Sequence, residues 1–308
     1  MSHNTQANAE RLPRKGDEVE AQALGLGPRG HIMGEVQGIP VRIKGCTAPG
    51  DRVRVRLLRK GRGVFDGQLL EVLEQGPEHT EPRCSHAGTC GGCSFQGVSY
   101  AAQLKAKQEW LEAAIAESDL VVKPEVQAMI GMDDPWHYRN KMDFTFGSRR
   151  WSEDHEEEGV AADFGLGLHV PGRWDKVLDI EECSIAFPEA AAILNTTRRL
   201  ALEQNLDPWD VKEARGLLRH LVVRKGYQTG QILVDLVTET ESPERIDPFA
   251  AALLEAHPEI TTMIQGIHAR SAQVAFHEEQ RILHGTGVIE EVLAGCTFEI
   301  SATSFFQT

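Results

Sequence analysis

No run of about 18 apolar residues occurs anywhere in the 308 positions of this chain, so no transmembrane helix is expected. The first fifteen residues, Met1 to Lys15, are polar and lack the apolar stretch of a secretory signal, which leaves a disordered lead-in in a cytoplasmic protein. Aromatic residues make up only 6% of the chain. Positive charge is also short: 32 Lys/Arg stand against 46 Asp/Glu, a net charge of −14, which argues against a polyanion-binding surface spread over the whole protein. There are only six cysteines, Cys46, Cys84, Cys90, Cys93, Cys183 and Cys296. In a cytoplasmic chain, clustered thiols more often bind metal than form disulfides. The 41% hydrophobic content is enough for two or three domains with real cores.

The charge is unevenly placed. Residues 1–75 carry 12 Lys/Arg against 9 Asp/Glu, while residues 76–308 carry 20 against 37. Arg42, Lys44, Arg52, Arg54, Arg56, Arg59, Lys60 and Arg62 form a basic stretch opposed only by Asp51. Such a stripe can follow a phosphate backbone even on an acidic protein, because binding depends on the local field. A solvated strand face explains it equally well.

Residues 16–75 alternate short β-like runs with glycine: Asp17–Ala23, His31–Val36, Ile39–Lys44, Asp51–Arg59 and Phe65–Leu73. Five short strands at this spacing predict a small closed barrel. Residues 84–98 read as a Gly/Ser/Cys-rich loop, and Ser99–Ser118 as a helix capped by Ser99 with Leu104, Trp110, Leu111 and Ile115 on its apolar side. From 138 the pattern mixes strands with helices expected at Pro188–Asn205 and Pro243–His257, and an acidic run, Glu153–Glu158, reads as an exposed hairpin loop. Gly25-Leu26-Gly27-Pro28-Arg29-Gly30 fits GxGxxG, but Pro28 and the strand-like His31–Val36 replace the helix such a phosphate loop requires, so it reads as a barrel loop.

The motif with chemical content is Cys84-x5-Cys90-x2-Cys93. Gly91 and Gly92 let the backbone turn tightly enough for Cys90 and Cys93 to face one centre. Three thiolates need a fourth, from Cys46, Cys183 or Cys296. Cys183, between an expected strand and an expected helix, is favoured weakly by its position. Four thiolates suit zinc or an iron–sulfur cluster, and one CxxC plus two single cysteines tilts the choice toward iron–sulfur. Trp136-His137-Tyr138-Arg139-Asn140-Lys141 mixes aromatic and basic groups, as surfaces that stack bases and neutralise phosphates do, or else starts a strand with a half-buried Trp.

CSHAGTCGGCSFQ (84–96), Tyr138-Arg139-Asn140-Lys141-Met142-Asp143-Phe144, Glu182-Cys183-Ser184 and Ser304-Phe305-Phe306-Gln307 follow one another in the chain. In that order, behind a barrel, they resemble the 23S rRNA (uracil-5-)-methyltransferases of the RumA/RlmD type, and the barrel resembles their RNA-binding TRAM domain. The resemblance implies a [4Fe-4S] cluster on Cys84, Cys90, Cys93 and Cys183, and contact of Phe305 and Gln307 with the flipped uridine and the S-adenosylmethionine cofactor. It implies RNA, 23S ribosomal RNA in particular, as partner. No protein partner and no membrane are indicated. Arg42, Lys44, Arg54, Arg56, Arg59, Lys60, Arg139, Asn140 and Lys141 are the candidate RNA contacts. The chemistry implied is addition of a cysteine thiolate to uracil C6, methyl transfer to C5 and loss of the C5 proton.

The family pattern runs on past Phe-x-Gln into a cofactor domain with nucleophile and base, and no cysteine here matches that nucleophile. The expected fold class is therefore α+β: a small TRAM, OB-like β-barrel, an iron–sulfur loop and a mixed α/β central domain, with the Rossmann-like methyltransferase domain absent. The expected limits are 1–15 lead-in, 16–76 barrel, 77–98 cysteine loop and 99–308 central domain, and the chain alone is expected to be inactive. The competing reading is a non-catalytic RNA-binding module with a structural metal. A radical methylthiotransferase is excluded, since those enzymes use CxxxCxxC and carry the barrel at the other end.

Overall fold

The computed structural model describes residues 11–27, 30–152, 163–269 and 274–306. The acidic run at 153–158, Gln307, and Pro28 and Arg29 of the GxGxxG stretch lie outside the described residues, as does most of the lead-in. The chain divides into two compact units, Met1–Asp134 and Pro135–Thr308, described in turn.

The first unit is built on a closed five-stranded barrel of β1 (Glu18–Gly27), β2 (His31–Val36), β3 (Ile39–Lys44), β4 (Arg52–Gly61) and β5 (Val64–Glu74), in the order β1-β2-β3-β5-β4. Its cause is strict alternation. In β4, Val53, Val55 and Leu57 are fully buried, while Arg52, Arg54 and Arg56 between them point outward. Val41, Ile43, Ile32 and Ala23 from neighbouring strands complete the core. The β2–β3 turn is a two-residue hairpin with Gln37 and Gly38 both at positive φ (50° and 76°), the geometry that matches strand twist. Gly25 and Gly27 lie within β1, so no helix starts at the GxGxxG stretch.

Beyond β5 the chain crosses the turn before β4 so closely that a Cβ on Gly76 would stand 2.4 Å from the Gly50 carbonyl carbon. The loop then leads to α1 (Tyr100–Glu117), whose first turn is capped by Ser99 Oγ accepting from Ala102 N at 3.3 Å. The buried face is not the expected Leu/Trp/Ile stripe. Ala102 and Ala106 are the buried residues, and Leu111 is 46% exposed. Two alanines one turn apart let the helix approach closely, and Trp110 reaches over to donate from Nε1 to Leu26 O at 3.2 Å.

The second unit is a seven-stranded sheet in the order β12-β11-β10-β9-β6-β7-β8. Its strands are β6 (Lys141–Gly147), β7 (Gly165–Val170), β8 (Arg173–Asp179), β9 (Leu218–Lys225), β10 (Ile232–Thr238), β11 (Ile260–Ile267) and β12 (Glu279–His284). All pairings are antiparallel except β10 with β11. That parallel pair is joined through α3 (Pro243–Ala256), as a parallel connection requires a crossover. The central strands β9 and β10 are buried along nearly their whole length, the pattern of strands covered on both faces. α2 (Pro188–Glu203) buries Ile193, Leu194 and Leu200, and α3 buries Ile246, Phe249 and Leu253. Proline stands at the start of each, where its missing N–H costs nothing. A final hairpin, β13 (Val288–Leu293) with β14 (Cys296–Ser301), packs Ile289 and Ile300 with Leu233 and Ile264.

Candidate functional site

The strand-start segment Arg139–Lys141 is drawn into a polar junction of the second unit. Residues 137–139 run beside 184–186: His137 N donates to Ser184 O (3.0 Å) and Arg139 N to Ile185 O (2.9 Å). Asn140 is buried, and its carbonyl accepts from Lys225 N at 2.9 Å. Lys141 pairs with Asp143 at 2.8 Å and lies opposite Arg224 in the β6–β9 register. The Tyr227 hydroxyl donates to the His137 carbonyl, and Lys225 Nζ meets Glu189 at 2.6 Å. The segment therefore sits against the turn that holds Cys183, on one side of the β9 end.

Arg224 is the residue that sequence reasoning missed. Only 4% exposed, it donates from Nη2 to the Ser304 carbonyl at 2.5 Å. Burial pulls its pKa down, while Asp143 and Asp235 act to hold the charge. Asp235 lies in the same interior, with Oδ2 3.1 Å from His277 Nε2, and burial pushes its carboxyl up. No local signal marks Arg224, since the Ser304 carbonyl it bonds stands 80 residues away in the chain. Phe305, next to the anchored Ser304, presents its side chain to solvent at 92% exposure. Phe306 turns inward against Phe298 (centroids 5.5 Å apart) and the hairpin core. Gln307 lies outside the described residues.

In the first unit, the basic stretch is neutralised more than its sequence shows. Arg54 pairs with Glu71 (2.8 Å), Arg56 with Glu18 (2.7 Å), Arg52 with Glu20 and Glu74 (3.0 and 3.4 Å), and Arg42 with Asp66 (3.0 Å). The wall of the barrel is thus a ladder of alternating sign. At the β4–β5 hairpin end, Lys60 Nζ lies 5.0 Å over the Phe65 ring, with Arg59 and Arg62 beside it, and there the positive field is less compensated. Lys44 lies exposed at the end of β3.

Cys84, Cys90 and Cys93 are half-buried in the loop of the first unit, and Cys183 is half-buried in the second. The donors suit an iron–sulfur group in kind: three thiols sit on one glycine-rich turn, and Cys90 Sγ accepts the Gly92 N–H at 3.3 Å. Among the described residues, however, no group of three or more His, Cys, Asp or Glu is drawn together closely enough to hold a metal ion. The donor set therefore matches in chemistry and not in arrangement. Cys46 belongs to the barrel rim. Burial first, then Glu81 and Asp51, push its thiol up to about 11, which makes it a poor nucleophile at neutral pH. Cys296 opens β14 in the exposed hairpin. Among the described residues no helix is long and apolar enough to cross a membrane.

No protein-family model matches the chain. Curated relatives do. An uncharacterized RNA methyltransferase of Chlorobaculum tepidum is 33% identical over 301 residues, covering 96% of this chain and 62% of its own length. One of Caldanaerobacter subterraneus is 33% identical over 297 residues, covering 96% and 63%. This chain is similar to RNA methyltransferases over nearly its whole length. It spans about three fifths of the length of those relatives. The crystal structure of the Pyrococcus abyssi tRNA (uracil-54, C5)-methyltransferase in complex with S-adenosyl-L-homocysteine matches with a TM-score of 0.66 at 20% identity, covering 94% of this chain and 61% of that one.

That match corrects the expected fold class, which set a methyltransferase fold outside this chain. The alignment runs through 94% of the chain, so the described barrel and the seven-stranded unit share the fold of the part of that enzyme they cover. The expectation was argued from where the family pattern places its cofactor domain and from the lack of a cysteine matching the nucleophile, and neither reports on the fold of the residues present.

Proposed function

We propose that this chain serves S-adenosylmethionine-dependent methylation of uridine C5 in 23S ribosomal RNA, in the cytoplasm. The observation that carries the reading is similarity to RNA methyltransferases along 96% of the chain, joined to a β-barrel and to the motif order Cys84–Cys93, Arg139–Lys141, Cys183, Ser304–Gln307. The uracil-C5 chemistry and the cofactor are read across from the family resemblance and from the Pyrococcus enzyme. The ribosomal target is read from the cysteine motif alone.

In this reading the barrel holds RNA through Lys44, Arg59 and Lys60, and less through the compensated Arg42, Arg54 and Arg56. Arg139, Asn140 and Lys141 support the site beside Arg224. Phe305, next to the Arg224–Ser304 bond, stacks on the extruded uracil, and Gln307 is assigned its contact by the family resemblance alone. Extrusion is needed because C5 and C6 are shielded in the base stack. The ring then requires a thiolate at C6 before C5 becomes nucleophilic enough to take a methyl group. That thiolate is assigned to no cysteine of this chain: Cys46 holds its proton and Cys296 is a hairpin residue. Cys84, Cys90, Cys93 and Cys183 are proposed to carry an iron–sulfur cluster because the family resemblance implies it, with a fold-stapling role and no part in the methyl transfer.

The test is genetic and chemical together. Ribosomal and transfer RNA from cells lacking the gene are digested, and the nucleosides are measured by mass spectrometry. Loss of 5-methyluridine from 23S RNA, restored by the intact gene, is expected. Loss confined to transfer RNA would move the target and keep the chemistry. Unchanged 5-methyluridine in both would refute the reading.

A further inference from the structure

We propose that the second unit carries its own landing surface for single-stranded RNA on β8 and on the segment following β6, with Trp174 as a stacking platform. Arg149, Arg173, Lys176 and Lys212 are its phosphate partners. The proposal rests on the RNA methyltransferase reading and adds to it a contact that the sequence motifs do not include.

The backbone gathers the parts. After β6 the chain turns along the outer edge of β8, where Trp151 N donates to Val177 O (2.7 Å) and Val177 N to Arg149 O (3.0 Å). Cations from two separated segments thereby share one edge. Arg173 and Lys176 both lie over the Trp151 ring, at 5.8 and 5.5 Å from its centroid. Asp175 accepts from Arg173 at 3.1 Å and pairs with Lys212 at 2.9 Å, and those two cations hold its carboxyl well below the usual range. One carboxylate thus orders two cations. Arg149 lies 3.8 Å from Asp210, which is already occupied by the Ser148 hydroxyl and the Lys212 and Glu213 N–H groups.

The balance of charge is unusual for its surroundings. Residues 135–308 hold 16 Lys/Arg against 28 Asp/Glu, yet among the described residues the ion pairs of Arg149, Arg173 and Lys212 are with Asp210 and Asp175, and Lys176 lies beside them on β8. Among these charges Trp174 is 62% exposed, whereas Trp209 at the floor of the adjoining recess is 6% exposed, beneath the Arg219 guanidinium at 4.1 Å. A large aromatic face left open beside cations is what single-stranded nucleic acid uses, since every base has a π-face and every step a phosphate. An acidic peptide would use the cations and leave Trp174 idle. A membrane surface would require a wider apolar area than one indole.

The experiment is fluorescence anisotropy of a labelled 20-nucleotide single-stranded RNA titrated with the full chain at several salt concentrations. Trp174→Ala is expected to bind about 5- to 150-fold more weakly, the equivalent of one base–aromatic stack, with an unchanged salt slope. Trp174→Phe is expected to restore most of the loss. Lys176→Ala with Lys212→Ala is expected to flatten the slope by roughly 1.4, since each phosphate contact on a single strand contributes about 0.7. Wild-type affinity in Trp174→Ala and an unchanged slope in the lysine pair, on a chain that does bind RNA, would overturn the surface and leave the RNA reading standing. Failure of the wild-type chain to bind RNA would sink the RNA reading itself. Tighter binding of a polyglutamate peptide than of RNA would reassign the surface to an acidic protein partner.

Discussion

Asp51 offers a sharp test of how the first unit is held together. Its carboxylate is fully buried and accepts from the Thr47 hydroxyl (2.7 Å), Ala48 N (2.8 Å), Gly76 N (2.8 Å) and His79 Nδ1 (2.8 Å). These bonds tie the turn before β4 to the chain leaving β5, where Gly50 and Gly76 touch. In Asp51→Ala, the Ala48 and Gly76 N–H groups are left buried without an acceptor, at about 1–3 kcal/mol each. Thr47 and His79 can turn toward other partners, so the total should be about 4 kcal/mol. Asp51→Asn should be nearly as harmful, because Oδ2 accepts three of the bonds and an amide offers one oxygen for both sets of donors. Hydrogen exchange of 18–27 and 52–61, read by mass spectrometry, reports on this unit alone. A loss of about 4 kcal/mol corresponds to roughly a thousandfold faster exchange through global opening of the barrel. Protection within threefold of wild type in both variants would refute the argument.

The same group predicts a pH dependence. Burial raises the Asp51 carboxyl, but the Gly76 N–H, the Thr47 hydroxyl, the Ala48 N–H and His79 outweigh it, so its folded pKa lies below the ordinary value. Its contribution is therefore complete above the unfolded value near about 4 and is lost as pH falls through the lower folded one. Wild type should lose protection in 18–27 and 52–61 below about pH 4, and Asp51→Asn should lack that step.

Three further outcomes follow from the geometry. Arg59→Ala with Arg62→Ala should weaken RNA binding and flatten its salt dependence more than Arg54→Ala with Arg56→Ala, whose guanidiniums are already paired with Glu71 and Glu18; filter binding at three salt concentrations checks it, and the reverse order would move the RNA to the barrel wall. Arg224→Met should release the Ser304 carbonyl and speed hydrogen exchange of 301–306 about tenfold or more; unchanged exchange would mean that hairpin packing alone holds Phe305. Cys90→Ser should abolish bound iron and sulfide in protein purified without oxygen, against about four of each in wild type for one cubane cluster; one zinc and no colour in wild type would replace the cluster with a structural zinc site.

Local pattern determined a good deal of this protein. The alternation of Arg52, Arg54 and Arg56 with Val53, Val55 and Leu57 specifies a strand with one buried face wherever that strand sits. Ser99 and the prolines at 188 and 243 start helices by themselves, because capping needs only the next few residues. Pro28 and the following β-run suffice to remove GxGxxG from consideration. What the tertiary structure decided are the partnerships across long stretches of chain. The apparently basic stripe becomes a neutral ladder because barrel closure sets Glu18, Glu20, Glu71 and Glu74 beside it, a matter of strand register that composition does not carry. α1 buries two alanines rather than its larger apolar residues, since what a helix buries is set by how closely its neighbour can approach. Arg224 reaches Ser304, Asp51 reaches Gly76, and the cations around Trp151 and Trp174 come from segments that meet only when β8 is edged by the chain after β6. Each depends on hydrogen bonds and burial between residues far apart in sequence, for which no local spacing is a signal.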